Sequence, residues 1–306
     1  MHNFSNNLTD SLKECTLCPR KCKVNRIAGE KGVCRASASV KVSLASLHKW
    51  EEPCISGDNG SGAVFFTGCN LKCVFCQNSE ISQKDYGKEV SIEHLAKIFL
   101  NLQEQGANNI NLVSPTHFVP QIREALLEAK SSNLNIPVVY NTNGYETIET
   151  LCSLEGLVDV YLPDLKYYND KYGIKYSGVP HYFEYASKAV LEMYRQVDSP
   201  EFNDNGIIKK GLIIRHLILP GLFNDSKNIL KWINENLPRS VYVSLMSQYT
   251  PMYKANDFKE LNHRISESQY EAYIDFFFDI GLENGYMQEI SSANDIYTPI
   301  FDLKGI

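Results

Sequence analysis

Gly68-Cys69-Asn70-Leu71-Lys72-Cys73-Val74-Phe75-Cys76-Gln77-Asn78 carries three cysteines at a Cys-x3-Cys-x2-Cys spacing. They follow Ala63-Val64-Phe65-Phe66, an apolar run that reads as a short buried strand, so the cysteines fall on the loop leaving that strand's end. Thiolates are soft ligands suited to iron–sulfur clusters, zinc or copper(I). A cubane cluster normally takes four thiolates. A loop that supplies three leaves one iron open, and an open position is how a metal site binds substrate. The competing reading is a zinc knuckle completed by His94 or Cys54, since zinc accepts both ligand spacings. The preceding strand and the repeated β/α pattern that follows favour iron–sulfur.

Downstream of the loop, short apolar runs alternate with longer helical ones. Strands are predicted at Ala63–Phe66, Asn109–Val113, Pro137–Asn141, Val158–Leu162, Leu212–Leu217 and Val241–Leu245. Between and after them, helices are predicted from Ser91, with Leu95, Ile98, Phe99 and Leu102 on one face, and over Val119–Ala129, Glu146–Leu154, Phe183–Gln196, Ser226–Asn236 and Ser268–Ile280. Near-continuous apolar strands separated by helices imply a parallel sheet covered by helices. The expected class is α/β with a small N-terminal metal-binding module, and the six units resemble a partial (β/α)6 TIM-type barrel. In parallel barrels, functional groups gather at the C-terminal ends of the strands. Gly285-Tyr286-Met287-Gln288-Glu289-Ile290 is a candidate closing strand.

The module is read from Cys15-Thr16-Leu17-Cys18-Pro19-Arg20-Lys21-Cys22 and Gly29-Glu30-Lys31-Gly32-Val33-Cys34. Gly29 and Gly32 allow the tight return that brings Cys34 back to the other three. Too few apolar residues lie here for an independent core, so a metal would supply folding energy. Four thiolates close a site, which suits structural zinc or a second [4Fe–4S] cluster, and both stay open. Val40–Ala45 alternates like a strand, and the turn-rich connector Ser56–Gly62 places a boundary between residues 1–60 and 61–306. Cys54 reads as a stray thiol.

Of 306 residues, 43% are hydrophobic and 22% charged, ordinary globular composition. No apolar run approaches the roughly 20 residues a membrane helix needs, and the first residues carry no apolar signal segment. A cytoplasmic location with no membrane contact is the expectation. Nine cysteines then argue for metal or redox chemistry over disulfides. Residues 1–50 carry nine Lys/Arg against three acids, so the rest holds a net charge of −12 out of −6 overall. Cations that stabilise thiolates explain this basic segment better than a nucleic-acid arm, for which aromatic–basic interleaving is missing.

The cysteine loop, with Phe75 just before its last cysteine, resembles the signature loop of the radical S-adenosylmethionine (SAM) superfamily. The resemblance implies a [4Fe–4S] cluster on Cys69, Cys73 and Cys76 whose open iron chelates SAM. It also implies reductive cleavage of SAM to methionine and a 5′-deoxyadenosyl radical. That family usually has a Gly-Gly-Glu-like segment after strand two; here Ser114-Pro115-Thr116-His117 stands instead. Ser114 or Thr116 is the candidate for the SAM amino group, and His117 for an acid, base or ligand at the barrel mouth, or a helix cap. Tyr140-Asn141-Thr142-Asn143-Gly144-Tyr145 is similar to the Thr-Asn-Gly segment of glycyl-radical activating enzymes, with Asn143 a SAM contact or a simple turn residue. Asp164-Leu165-Lys166 matches an element of the same enzymes, and its acid–base pair suits the zwitterionic end of SAM. Arg215 to Gly221 resembles their Arg-x4-Pro-Gly segment, and Arg215, inside an apolar strand, needs a partner such as a carboxylate. Ser247 and Gln248 are neutral hydrogen-bonding candidates.

The likeness is to pyruvate formate-lyase activating-like proteins with an added four-cysteine module. It implies a radical SAM enzyme that takes hydrogen from a small-molecule or protein/peptide substrate, fed by a reductant such as flavodoxin or ferredoxin. Nucleic acid is disfavoured as substrate by the acidic barrel domain. An activating enzyme that installs a glycyl radical on a partner protein is the first alternative. An iron–sulfur or zinc binding protein without radical chemistry is the second.

Overall fold

All six predicted strands become parallel neighbours in a single sheet. A computed structural model describes residues 8–288 and 299–306. Its strands are β1 (Val40–His48), β2 (Ser61–Phe66), β3 (Lys88–Val90), β4 (Ile110–Val113), β5 (Val138–Thr142), β6 (Val160–Pro163), β7 (Glu201–Phe202), β8 (Ile208–Leu217), β9 (Tyr242–Met246) and β10 (Gly285–Met287). Its α-helices are α1 (Leu8–Lys13), α2 (Pro53–Ser56), α3 (Ser79–Gln83), α4 (Ile92–Glu104), α5 (Val119–Ser131), α6 (Ile148–Cys152), α7 (Asp170–Ser177), α8 (Tyr182–Val197), α9 (Phe223–Asn236) and α10 (Glu267–Asp279). The sheet runs β10-β9-β8-β6-β5-β4-β2-β1-β3. From β2 to β10 every neighbouring pair on that path is parallel, while β1 lies antiparallel between β2 and β3. This is the α/β partial barrel that the alternation of strand and helix implies, extended by β10. Of the predicted closing strand, Glu289 and Ile290 lie outside the described residues.

The strands are buried on both faces, as a helix-covered parallel sheet requires. All four residues of β4 are buried. Outside the barrel, α4 packs Leu95, Ile98, Phe99 and Leu102 against the sheet, each contributing about 1.5–3 kcal/mol of apolar burial. Its start is set by Ser91, whose side chain accepts from the His94 amide at 3.1 Å. The helix expected from Glu146 begins only at Ile148, because the Glu146 carboxyl turns inward to accept from Thr116 Oγ1 at 2.6 Å and from the Thr142 hydroxyl. Inside the barrel, Phe301 of the C-terminal segment packs edge-on against Phe65, with ring centroids 5.5 Å apart. The Ala45 amide of β1 donates to the Lys304 carbonyl at 3.0 Å.

The connector Ser56–Gly62 does not mark an edge of the sheet. β1 pairs with β2 from Val42↔Phe66 to His48↔Ser61, so hydrogen bonding extends the barrel sheet back to Val40. Residues 14–39 hold no helix or strand and lie against the barrel. Thr147 and Thr150 hydroxyls donate to the Leu17 carbonyl at 3.2 and 2.7 Å, and Arg20 Nε donates to the Asn70 carbonyl at 2.9 Å. Among the described residues, no helix is long and apolar enough to cross a membrane.

Candidate active site

The chain leaves β2 through Thr67 and turns at Gly68, where φ is +94°. A Cβ there would run into the Cys34 carbonyl oxygen and reach 3.2 Å from His117 Nε2, so only glycine fits this corner. The loop that follows is pinned by its backbone. Lys72 and Val74 amides donate to the Ser177 and Tyr176 carbonyls at 2.9 and 2.8 Å. Phe75 packs edge-on against Tyr249.

Each thiol of the loop has a polar neighbour. Cys69 Sγ accepts from the Leu71 amide at 3.4 Å and from Asn143 Nδ2 at 3.5 Å. Cys73 Sγ lies 3.0 Å from Ser177 Oγ, which is 2.8 Å from the Tyr167 hydroxyl. Cys76 Sγ lies 3.3 Å from Ser82 Oγ. Burial pushes the Cys69 thiol up to about 12 and Cys73 to about 11, so metal must displace their protons. Donors aimed at sulfur, three thiols on one loop and a cation close by fit an iron–sulfur cluster.

The three cysteines open onto a cavity of about 230 Å³ at the C-terminal ends of the strands. Ser114, Asn143, Asp164, Lys166, Arg215 and Gln248 all line it. Lys166 Nζ meets Asp164 Oδ2 at 2.6 Å. Burial alone would lower the Lys166 ammonium, but Asp164 and then Cys73 outweigh it and hold the lysine charged. Arg215 finds more than one carboxylate. Nη1 meets Glu51 Oε2 at 3.0 Å, while Nε lies 3.6 Å from Asp164 Oδ1 and 3.7 Å from Glu52 Oε1. The far oxygen of Glu51 accepts from Asn111 and Asn141 at 3.0 and 3.2 Å. Burial raises the Glu52 carboxyl, with Arg215 opposing. Asn143 Nδ2 also donates to Asn70 Oδ1 at 2.8 Å, so this amide braces the cysteine loop as well as facing the cavity.

Three expected contacts belong elsewhere, Ser247 among them, whose hydroxyl donates to the Gln288 carbonyl at 3.3 Å and does not line the cavity. Ser114 adopts a left-handed φ of +56°, and the Thr116–Phe118 turn that follows is a 3-10 helix. That reversal keeps Ser114 at the cavity but turns Thr116 inward to Glu146 and sends His117 behind Gly68. His117 Nε2 lies 2.7 Å from the Thr67 carbonyl, and burial lowers its pKa to about 3. It is a neutral donor in the wall, neither a cap nor an acid or base at the mouth. His94 is exposed on α4 and Cys54 is buried in α2, and neither lines the cysteine cavity, so the zinc knuckle lacks both of its proposed fourth ligands. Among the described residues, no group of three or more His, Cys, Asp or Glu side chains is placed to hold a single metal ion. Glu51 is the residue that sequence reasoning missed; the signal was the need of Arg215 for a buried carboxylate.

Gly144 packs its Cα against the Asp164 carbonyl at φ +79°. Gly144→Ala is expected to cost about 1–3 kcal/mol through strain and displacement of that carbonyl. A thermal melt unchanged from wild type would refute this close approach.

Cys15, Cys18, Cys22 and Cys34 line a second, small cavity together with Arg20, Arg26 and His117. All nine cysteines of the chain are free thiols.

Comparison with known proteins gives concordant results. The sequence profile of the radical SAM superfamily matches residues 63–233. A Methanocaldococcus jannaschii protein, the uncharacterized protein MJ0674, is 35% identical over 270 residues, covering 85% of this chain and 72% of that one. Streptococcus suis SuiB bound to S-adenosylmethionine superposes with a TM-score of 0.50 at 15% identity over 72% of this chain. SuiB bound to precursor peptide SuiA gives 0.51 at 15% identity over 74%. The chain spans about half of SuiB, 48% in both superpositions, and the likeness is one of fold.

Proposed function

The chain belongs to the radical SAM superfamily, and from that premise we propose that it is a hydrogen-abstracting enzyme whose chemistry takes place in the cavity beneath Cys69, Cys73 and Cys76. These three thiolates would hold a [4Fe–4S] cluster. When bound and reduced by one electron, the cluster supplies reductive cleavage of SAM to methionine and a 5′-deoxyadenosyl radical, which takes a hydrogen atom from the substrate.

The chain's own residues then have distinct tasks. Asp164 and Lys166 offer an anion and a cation 2.6 Å apart, matched to the ammonium and carboxylate of an amino acid such as the methionine end of SAM. Asn143 holds Cys69 in place through its amide. Ser114 and Gln248 supply neutral hydrogen bonds at the cavity wall. Glu51 and Arg215 form the cavity floor and keep it polar without a net charge. The cavity at the strand ends has a volume of about 230 Å³, which suits a small molecule or an extended peptide. SuiB, which shares the fold, was solved with a precursor peptide. A ferredoxin or flavodoxin class protein serves as reductant.

The observation that carries this reading is the opening of three thiols on one loop onto a cavity with an adjacent Asp–Lys pair. Anaerobically purified protein reconstituted with iron and sulfide, given SAM and a strong reductant, is expected to form 5′-deoxyadenosine. An intact cluster with no deoxyadenosine, even when extracts supply substrate, moves the protein to the class of metal-binding proteins without radical chemistry.

A further inference from the structure

We propose that Cys15, Cys18, Cys22 and Cys34 hold a second, redox-active iron–sulfur centre that delivers single electrons to the site at Cys69. This rests on the reading of Cys69, Cys73 and Cys76 given above.

The first support is how the segment is shaped around its thiols. The Cys15 amide donates to the Val24 carbonyl at 3.1 Å, and the Lys23 amide returns to the Cys15 carbonyl at 2.9 Å. Lys21, Lys23 and Arg35 all have positive φ, a conformation that non-glycine residues hold only when their surroundings demand it. At Gly32 a Cβ would stand 2.9 Å from Cys22 Sγ, so a side chain there would displace that sulfur.

The second support is charge. Arg26 is only 2% exposed, and its guanidinium donates to the carbonyls of Ser37 and His117 and lies over the Phe118 ring, with no carboxylate paired to it among the described residues. Arg20 Nη2 and Lys72 Nζ are buried with no hydrogen-bond partner. Buried cations without counter-ions are costly. Glu146, which accepts from Thr116, Thr142 and Tyr140, is a single carboxyl set against three cations and does not neutralise them. Four thiolates on a metal centre would. Zinc and an oxidised four-iron cluster give such a site the same net charge. Only the iron centre gains a further negative charge on reduction, and the surplus of cations stabilises that state.

The third support is position. The Cys34 carbonyl packs on Gly68, directly before Cys69. Arg20, which lines the four-cysteine cavity, donates through Nε to the Asn70 carbonyl at 2.9 Å on the Cys69 loop. Asn70 lines the four-cysteine cavity, while its Oδ1 accepts from the Asn143 amide that also donates to Cys69. The two thiol sets are thus joined through one residue's contacts. Their cavities share no lining residue, so the N-terminal centre does not face the substrate. Cys15 and Cys22 are half-exposed among the exposed Lys21, Lys23 and Arg35, a basic surface that suits an acidic redox protein. One electron leaves a reduced ferredoxin-class donor, resides on the N-terminal centre and passes to the centre at Cys69. No proton moves and no bond forms or breaks.

The test uses the full chain, reconstituted anaerobically. Wild-type protein is expected to hold about eight irons, two cubanes' worth, and to give two reduced electron paramagnetic resonance signals, one of which shifts with SAM. Cys18→Ala/Cys22→Ala should keep the SAM-responsive signal and its reduction by dithionite, but its reduction by ferredoxin should slow roughly tenfold or more. Zinc at the four-cysteine site, in protein that still makes deoxyadenosine, overturns the proposal and leaves the Cys69 reading intact. Unchanged reduction of the double variant by ferredoxin overturns it too. Should the double variant not fold, Arg20→Met, which removes a cation lining the four-cysteine cavity, keeps all seven cysteines. It is expected to lower the midpoint potential of the SAM-insensitive signal and slow electron delivery, and wild-type values for both refute the relay. Loss of the SAM-responsive signal from wild-type protein instead refutes the underlying reading.

Discussion

Cys73→Ala protein is expected to make 5′-deoxyadenosine at no more than roughly a thousandth of the wild-type rate, about 4 kcal/mol in the barrier. Cys73 is buried in the cysteine loop, its sulfur 3.0 Å from Ser177 Oγ. Removing it leaves two thiolates for a centre that needs three. The fold should tolerate the change at a cost of about 1 kcal/mol, since the loop stays anchored by the Lys72 and Val74 amides. Metal at Cys15, Cys18, Cys22 and Cys34 should remain, because those ligands lie on a separate segment with a separate cavity. Iron, sulfide and deoxyadenosine measured on one sample check all of this. Deoxyadenosine at the wild-type rate would remove Cys73 from the ligand set.

Arg215→Met is expected to destabilise the protein by about 3–5 kcal/mol near neutral pH, the usual result of removing one partner from a buried ionic group. The arginine side chain is 16% exposed and stands among Glu51, Glu52 and Asp164, so its loss leaves like charges facing one another. The pH dependence follows from Glu52, whose carboxyl burial already raises above its ordinary value. A carboxyl with a raised folded-state pKa destabilises the fold where it must be ionised, and that penalty shrinks as pH falls through the folded pKa and is gone below the unfolded one. Without Arg215 the raising is larger, so the variant's deficit should shrink between pH 7.5 and 5. Denaturant titrations at both pH values measure it. A deficit that grows on acidification would mean that Arg215 stabilises the barrel by packing and not by charge.

The cysteine loop was legible because its signal is local. A run of four apolar residues and three thiols lie within 14 residues, and strand and loop follow from adjacent side chains. The pairing partner of Arg215 was legible as a need but not as a residue. Glu51 is 164 positions away, and only the pairing of β1 with β2 carries it to the barrel floor. The reach of Arg26 to the His117 carbonyl spans 91 positions and had no sequence signal of its own. His117 was misplaced because a strand-end position does not reveal the direction of a side chain. The left-handed turn at Ser114 decides that, and Ser-Pro gives little warning of it.

By itself the sequence determined the class of fold, the order of its strands along the chain and the thiol loop at the end of β2. Those depend on periodicity and on ligand chemistry within a few residues. Tertiary structure alone decided that the sheet extends back to β1, that Glu51 and Arg215 meet in the cavity floor, and that Cys34 rests on Gly68 beside Cys69. Each of these is a contact between distant segments. Its free energy comes from burying and pairing groups that no local pattern relates, so only the packed sheet can bring them together.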